Sequence, residues 1–254
     1  MLSEKVLVVG QGEIGEPLAK LLGANYRVFT KDVEPIEIHE TIEVMHVCYP
    51  FQVEDFVGTT VDYIAEFQPS LTIIHSTVLP GTTTAVHKRS HQQVAYSPVR
   101  GKHATMSAHM LHYTTFVGGV TLGATQTALE HLEGAGLRVE SFSSPEALEL
   151  SKLLETTYFG LLIAWAQEQE RYGRELGVDY DEMIRIYKDV EYLPPVEFQP
   201  GFIGGHCVMP NIELLEKVRT SPFLDAIKQS NDEKSEEWLR MGRKLEERLV
   251  PRNL

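Results

Sequence analysis

Two groups of residues in this 254-residue chain have the residue types and spacing of catalytic or ligand-binding sites. The first is the stretch PGFIGGHC at 200–207, which places Cys207 behind two glycines and a histidine. An ionised thiol is a strong nucleophile, and glycines let backbone lie close to a bound molecule. A free cysteine is otherwise a small buried hydrophobic residue, which is our interpretation of Cys48 in its apolar segment.

The second group is Gly10, Gly12 and Gly15, a G-x-G-x-x-G spacing inside VLVVGQGEIGEPLAKLL. An apolar run precedes these glycines and a helical pattern follows, which is the context in which this spacing binds a dinucleotide. There Gly10 allows a tight turn, Gly12 admits a pyrophosphate, and Gly15 lets the helix pack on the sheet. The helix N-terminus then offers N–H groups to the phosphates. A glycine turn that binds nothing is the alternative interpretation.

Asp32 follows the second predicted strand. A carboxylate there accepts hydrogen bonds from ribose hydroxyls and repels a 2′-phosphate, which favours NAD over NADP. The neighbouring Lys31 keeps NADP open, and an exposed strand-end aspartate is the alternative interpretation.

Alternating short apolar runs and helical patterns must position these groups. The runs are rich in β-branched residues and short enough for buried strands. They lie at 5–10, 26–30, 42–49, 71–76, 93–97, 114–119 and 137–142. Helical patterns separate several of them, at 13–22, 52–67 and 121–133. Such alternation predicts a Rossmann-type α/β domain, a parallel sheet with helices on both faces, over residues 1–143.

The second part of the chain has a different character. Ser144 can cap a helix, Pro145 suits its first position and Gly177 suits its end, which predicts a helix of about thirty residues. The remainder is helical, with a Pro/Gly-rich interruption at 194–210 that holds Cys207. We therefore predict an all-helical domain at 144–254, joined to the first domain by the long helix.

Composition limits the classes of function. The formal net charge of −13 opposes binding to nucleic acid or anionic lipid. No run of 18 apolar residues is present and the N-terminus resembles a strand rather than a signal peptide, so we expect no membrane span. Two cysteines form no disulfide framework, which favours a reducing, cytoplasmic setting. We expect no metal site.

Three further stretches complete a pattern. They are HSTVLPGTT (75–83), ELSKLLETTYFGLLIAWAQEQERYGRELGVD (149–179) and PGFIGGHC (200–207). With the glycine turn and FVGG (116–119), their order resembles the UDP-glucose/GDP-mannose dehydrogenase family over about the first 210 residues. The resemblance implies an NAD-dependent enzyme that oxidises the primary alcohol of a nucleotide sugar to a carboxylate in two hydride transfers.

The resemblance also implies roles for single residues. Cys207 matches the covalent nucleophile, which forms a thiohemiacetal and then a thioester. Lys152 matches a lysine that stabilises alkoxide and oxyanion charge, and Thr77 matches a threonine near the nicotinamide. The implied cofactor contacts are Gly10, Gly12, Glu13, Ile14, Gly15, Asp32, Tyr49, Pro50, Ser76 and Thr77. The implied substrate contacts are Gly204, Gly205, His206, Thr156 and Asn211.

The chain departs from the family pattern at several places. Val99 stands where the family has a glutamate, Thr156 where it has an asparagine, and Asn211 where it has an aspartate. We also expect the family's C-terminal nucleotide-sugar-binding domain to be absent. The changed acids leave two alternatives open: a non-catalytic NAD-binding subunit or sensor, and a two-electron alcohol or aldehyde reductase.

The long helix at 145–176 is apolar on nearly every side, which is typical of a helix buried on more than one face. Family members dimerise through this helix, so the resemblance implies a homodimer. The apolar residues are Tyr158, Phe159, Leu161, Leu162, Ile163 and Trp165. The expected substrate is a small molecule, a sugar or nucleotide sugar.

Overall fold

The computed structural model describes most of the chain, in the ranges 4–34, 36–101, 105–191, 193–194, 196–205 and 207–241. The chain divides into two compact units, Met1–Lys152 and Leu153–Leu254. The boundary between the units lies inside the long helix that begins at Pro145, whereas the predicted boundary between 143 and 144 precedes that helix.

A seven-stranded sheet forms the centre of the first unit's described residues. The strands are β1 (Lys5–Val9), β2 (Arg27–Lys31), β3 (Val44–Val47), β4 (Leu71–Ile74), β5 (Val94–Tyr96), β6 (Thr115–Gly119) and β7 (Val139–Ser141). Their spatial order is β2-β1-β3-β4-β5-β6-β7. Strands β1 to β5 pair in parallel as predicted, whereas β6 runs antiparallel to β5 and parallel to β7. The Rossmann-type fold is thus confirmed, with one antiparallel pair.

Helices cover both faces of the sheet. Val6 and Val8 of β1 belong to one apolar cluster and Leu7 and Val9 to another, because successive strand residues point to opposite faces. The helices are α1 (Gly15–Leu22), α2 (Phe56–Phe67), α3 (Thr82–Ser90), α4 (Met106–His112) and α5 (Leu122–Gly134). The patterns predicted α1, α2 and α5. They missed α3 and α4, since α3 reads TTTAVHKRS and has little apolar periodicity.

The long helix α6 (Pro145–Leu176) contains 32 residues, as its sequence signals predicted. Ser144 Oγ accepts a hydrogen bond from Ala147 N at 3.1 Å, which caps the helix, and Pro145 occupies its first position. Gly177 follows the last turn with φ +69°, a conformation that glycine adopts without strain.

The second unit contains helices only among its described residues. After α6 come α7 (Tyr180–Ile184), a 3-10 helix (Arg185–Asp189), α8 (Val208–Val218) and α9 (Pro222–Arg240). Ser221 caps α9 and Pro222 begins it. The described residues between 190 and 207 are non-helical, which agrees with the predicted interruption at 194–210.

Three buried histidines form a hydrogen-bonded chain in the core of the first unit. His75 Nδ1 lies 2.6 Å from Ser97 O, and His75 Nε2 lies 2.8 Å from His46 Nδ1. The other nitrogen of His46 lies 3.0 Å from His131 Nε2. The chain ends where His131 Nδ1 lies 2.7 Å from Glu4 Oε1. The histidine chain therefore connects β3, the residue that follows β4, and α5 through polar contacts inside an apolar core.

A charged cluster joins α6 to α9 in the second unit. Arg171 donates to Ser230 Oγ and Ser230 O, both at 2.9 Å, and to Glu237 at 3.0 Å. Lys234, whose side chain is 3% exposed, pairs with Glu170 and lies 3.2 Å from Glu237. These residues form the charged cluster considered below.

Candidate functional site

The glycine turn between β1 and α1 has two positions that only glycine can occupy. Gly10 has φ +92°, and a Cβ there would lie 2.6 Å from Tyr49 N. A Cβ at Gly15 would lie 1.7 Å from Gly10 O, because the helix packs directly against the turn. A Cβ at Gly12 would meet nothing within 4 Å, so this position faces open space. The turn is tight and its middle is accessible, which is the form of a pyrophosphate cradle.

Helix α1 begins immediately after this turn. Its N-cap residue, Ile14, makes no side-chain capping hydrogen bond, and Glu13 precedes it. The first N–H groups of a helix lack intrahelical partners and carry the positive end of its dipole. The Gly12–Gly15 segment therefore offers donors suited to an anion.

Asp32 and Lys31 differ in exposure at the end of β2. Asp32 is exposed, whereas Lys31 is 7% exposed. Lys31 Nζ donates to Asp32 O at 3.1 Å and Glu34 O at 2.9 Å, and it lies 5.5 Å from the Tyr63 ring centre. The ammonium thus donates two of its three N–H groups to the backbone of the loop after β2.

Residues following β3 and β4 lie at the same edge of the sheet as the glycine turn. Ser76 Oγ donates to Tyr49 O at 2.6 Å, and Tyr49 is the residue against which Gly10 packs. Pro50 follows Tyr49, and half-buried Thr77 follows Ser76. The structure thus brings the predicted cofactor residues of three neighbouring parallel strands together, at the carboxyl edge where such sheets bind ligands.

Glu149 is a residue that the sequence did not single out. It is fully buried in α6, and it accepts hydrogen bonds from Gly81 N and Thr83. Half-buried Lys152 follows three residues later and is the last residue of the first unit. The available signal was an acid between two leucines, Leu148 and Leu150, near the start of the long helix.

The cysteine loop belongs to the second unit. Cys207 is exposed and occupies the N-cap position of α8, two residues after Gly205. A Cβ at Gly160 of α6 would lie 2.4 Å from Val208 Cγ1, so the start of α8 packs closely on α6. His206 lies outside the described residues. Cys48, by contrast, is buried in the sheet as predicted.

Thr156 and Asn211, two of the predicted substrate residues, are hydrogen-bonded to each other. Asn211 is 5% exposed, and its Nδ2 donates to Thr156 Oγ1 at 3.1 Å. The two positions at which the chain departs from the family pattern therefore form one pair between α6 and α8.

The third departure lies in an apolar environment. Val99 is half-buried and packs against the core cluster of the first unit. The guanidinium of the next residue, Arg100, lies 5.8 Å from the Tyr113 ring centre and 5.6 Å from that of Phe116. The loop after β5 thus places an aliphatic side chain where the family has an acid.

The described residues bear on two further classes of function, metal binding and membrane insertion. They contain no group of three or more His, Cys, Asp or Glu side chains arranged to hold a metal ion. Among the same residues, no helix has the length and apolar composition needed to cross a membrane.

Residues 146–233 match the model of the UDP-glucose/GDP-mannose dehydrogenase family, central domain. This range contains 88 of the 254 residues, about a third of the chain. The matched range covers most of α6 and continues through α8 into α9, so it includes Lys152 and Cys207. The resemblance to this family is therefore confirmed over 146–233, which includes two of the three stretches, 149–179 and 200–207.

Two curated relatives and one solved structure are also similar to this chain. The chain is 26% identical over 170 residues to UDP-N-acetyl-D-mannosamine dehydrogenase of Methanocaldococcus jannaschii, a match covering 64% of this chain and 39% of that protein. The Methanococcus maripaludis enzyme of the same name is 23% identical over 281 residues, covering 90% and 65%. The structure of UDP-D-ManNAc dehydrogenase from Pyrococcus horikoshii has the same fold, with a TM-score of 0.79 and 18% identity, covering 94% and 73%. The chain thus spans between about two fifths and two thirds of these two curated relatives.

Proposed function

We propose that this chain is an NAD-dependent oxidoreductase of the nucleotide-sugar 6-dehydrogenase type, acting on the primary alcohol or aldehyde of a sugar-like substrate. The observation that carries the proposal is the family match over 146–233, which includes Lys152 and Cys207. Relatives named as UDP-N-acetyl-D-mannosamine dehydrogenases support a nucleotide sugar as the substrate class. The glycine turn of the first unit supports a dinucleotide as the cofactor.

The residues of the glycine turn fit NAD. The open face at Gly12 and the N-terminus of α1 would hold the pyrophosphate, with backbone N–H groups of Glu13 and Ile14 as donors. Exposed Asp32 would accept the ribose hydroxyls, and the engagement of Lys31 favours NAD over NADP. NAD supplies the hydride acceptor for each oxidation when it is bound.

Cys207 and Lys152 would carry the chemistry. The Cys207 thiolate adds to the aldehyde carbon to form a thiohemiacetal, and loss of a hydride from that carbon leaves a thioester. Water then hydrolyses the thioester to a carboxylate and frees the thiol. The Lys152 ammonium would stabilise the alkoxide and the oxyanions. Thr77 would lie near the nicotinamide of the bound cofactor.

The substrate would contact the loop that precedes Cys207 and the hydrogen-bonded pair Thr156 and Asn211. The backbone of Gly204 and Gly205 approaches the substrate closely, while Asn211 and Thr156 donate and accept hydrogen bonds. Because Asn211 is an amide and Val99 is apolar, neither position supplies a carboxylate base for thioester hydrolysis. This observation favours a second candidate function, a two-electron alcohol or aldehyde dehydrogenase or reductase.

We also propose a homodimer through the helix at 145–176. Its large apolar side chains are exposed at several positions in the single chain: Leu154, Tyr158, Phe159, Trp165, Tyr172 and Leu176. A partner helix would remove this area from water. One buried and one exposed free cysteine are consistent with a reducing, cytoplasmic setting.

Purified protein mixed with NAD and a panel of UDP-, GDP- and free sugars tests the proposal through NADH formation. We expect at least one nucleotide sugar to give NADH, and Cys207→Ala to abolish the second oxidation. Two NADH per substrate indicate the full reaction, whereas one NADH that survives Cys207→Ala indicates the two-electron function. Cys48→Ala is the matched thiol control and should retain activity. A protein that binds NAD but gives no NADH with any sugar contradicts both enzymatic functions.

A further inference from the structure

Glu149 is an acid buried completely at the contact between α6 and the segment that follows β4. Its Oε2 accepts from Gly81 N at 2.6 Å, and its Oε1 accepts from Thr83 N at 2.9 Å and Thr83 Oγ1 at 2.6 Å. The partners are 66 to 68 residues away in sequence, so these bonds hold two distant segments of the first unit together. A fully buried carboxylate is rare unless it performs such a task.

The carboxylate replaces a cap that α3 lacks. The N-cap of α3 is Gly81, which has φ +95° and no side chain to bond the first N–H groups. Glu149 accepts from these groups instead, and negative charge at a helix N-terminus is stabilised by the helix dipole. Glu146, one turn earlier in α6, accepts from Thr84 Oγ1. Both acids therefore dock the start of α3 on the start of α6.

This contact fixes one end of the segment that contains Thr77. The other end is fixed by Ser76, whose Oγ donates to Tyr49 O. Lys152 lies one helical turn beyond Glu149, on an element whose backbone is rigid over that distance. We propose that Glu149 is a positioning residue that sets Thr77 against Lys152 in the reaction centre. This inference rests on the proposed function.

The charge of Glu149 matters as well as its shape. Burial raises the pKa of the Glu149 carboxyl, and the three donated hydrogen bonds act in the opposite direction. All three partners donate, so each bond requires an acceptor lone pair, and the carboxylate supplies one for each. A glutamine of the same shape would turn its amide N–H groups toward at least one of these donors. Glu149→Gln therefore disturbs the contact without changing the volume of the side chain.

Glu149→Gln is the variant that tests the inference, with Glu130→Gln, an exposed acid of α5, as the matched control. Two measurements are made: amide hydrogen exchange over 76–83, and the steady-state kinetics of NADH formation. We expect amide exchange at Thr77, Gly81 and Thr83 to quicken about tenfold. We expect kcat to fall roughly ten- to hundred-fold while the Kd for NAD stays within about twofold. Glu130→Gln should match the wild type in both.

Thr83→Val and Thr83→Ser keep the test decisive if Glu149→Gln fails to fold. Valine removes one donor and should lower kcat in the same way, whereas serine retains the hydroxyl and should restore it. Faster exchange confined to Gly81 and Thr83, or a kcat equal to that of the wild type, overturns the inference. A wild-type protein without activity contradicts the proposed function alone, and the exchange at Thr77 then decides whether Glu149 positions the segment.

Discussion

The two units solve the problem of buried polar groups in opposite ways. The histidine chain of the first unit is built from uncharged rings that hydrogen-bond one another inside an apolar core. The charged cluster of the second unit places Arg171 and Lys234 among glutamates at the partly exposed contact of α6 with α9. Buried polar groups are costly unless they are satisfied, so both networks hold their units together. The two networks differ in the protonation state that each requires, because the histidine chain consists of neutral rings and the charged cluster of ionised side chains.

The histidine chain requires one proton beyond those of three neutral imidazoles. Ser97 O can only accept, so His75 Nδ1 carries a hydrogen and His75 Nε2 must accept from His46. By the same reasoning His46 Nε2 accepts from His131. The last contact, between His131 and Glu4, then lacks a hydrogen unless His131 is protonated or Glu4 is a neutral acid. The extra proton is therefore shared by these two residues.

Burial controls the pKa values in this chain. It lowers the pKa of His75 and His131 to about 4 and that of His46 well below its ordinary range. It raises the pKa of Glu4, with a further contribution from Glu43. The ring of Tyr26, stacked 4.6 Å from that of His131, closes this end of the network. The rings of His46 and His75 thus stay uncharged in the folded protein at pH values where free histidine is protonated, and the extra proton stays between His131 and Glu4.

The charged cluster behaves in the opposite way. Burial alone would raise the pKa of Glu237, but hydrogen bonds from Arg171 and Arg174 and the charge of Lys234 outweigh it and lower the pKa to about 2. This carboxylate keeps its charge far into acid. The comparison therefore teaches that acid acts on the two units in different pH ranges, on the histidine chain below about pH 6.5 and on the Glu237 carboxylate only below about pH 4.5.

Acidification is expected to have the largest effect, and it should act on the first unit. The histidines have lowered pKa values, so the unfolded state binds more protons between pH 6.5 and 4 and stability falls as the pH falls. Allowing for the shared proton, unfolding takes up about two protons, a slope of roughly 2.7 kcal/mol per pH unit. Glu4 has a raised pKa, so the folded state holds its proton more tightly than the unfolded state. The stability that Glu4 contributes is therefore lost as the pH rises.

Two probes separate the units in this titration. Both tryptophans, Trp165 and Trp238, lie in the second unit, so their fluorescence reports on that unit. Amide hydrogen exchange of β3 and β4 reports on the first. We expect exchange in these strands to rise between pH 6 and 4 while the tryptophan signal stays native until lower pH. Simultaneous loss of both signals would contradict the comparison.

His46→Leu should have the next largest effect. It removes the middle ring and leaves His75 Nε2 and His131 Nε2 buried without their partner, which costs roughly 3 kcal/mol of unfolding free energy at pH 7. It should also flatten the acid slope, because the broken chain takes up fewer protons. Denaturant unfolding at several pH values measures both effects. His39→Leu, at a side chain 88% exposed, is the control, and equal slopes in the two variants would refute the prediction.

Local signals allowed much of this molecule to be predicted. Gly10 and Gly15 are required by contacts within a few residues or across one strand, and Ser144, Pro145 and Gly177 mark helix ends by their own chemistry. Apolar runs of strand length located all seven strands. Such features depend on short stretches of chain, so a single sequence reveals them.

Long-range contacts could not be predicted in this way. His46 lies in the apolar run VMHV and is surrounded by residues typical of a core strand, so nothing local indicates its hydrogen bonds to His75 and His131. Glu149 and its partners in α3 are likewise separated by more than sixty residues. The direction of β6 is set by its pairing, and its apolar pattern is the same in either direction. These features depend on tertiary contacts that periodicity does not encode.

Lys234→Met should have the smallest effect of the three, because the charged cluster is redundant. Methionine keeps the apolar stem, Glu237 retains Arg171 and Arg174, and Glu170 is partly exposed to water. The substitution should lower the free energy of unfolding by about 2 kcal/mol, less than the removal of one partner of a fully buried ion pair. Loss of the ammonium also raises the pKa of Glu237 toward its unfolded value of 4.5, so the fall in stability between pH 4.5 and 2 should be smaller than in the wild type.

Tryptophan fluorescence during denaturant unfolding and acid titration measures both parts of this prediction. Lys228→Met is the matched control, since Lys228 pairs with Glu216 on a more exposed surface, and it should leave both transitions unchanged. A fall in stability between pH 4.5 and 2 equal to that of the wild type would mean that the arginines alone hold the Glu237 charge. The lowered pKa of Glu237 would then depend on Arg171 and Arg174, and the lysine would serve only to bridge α9 to Glu170.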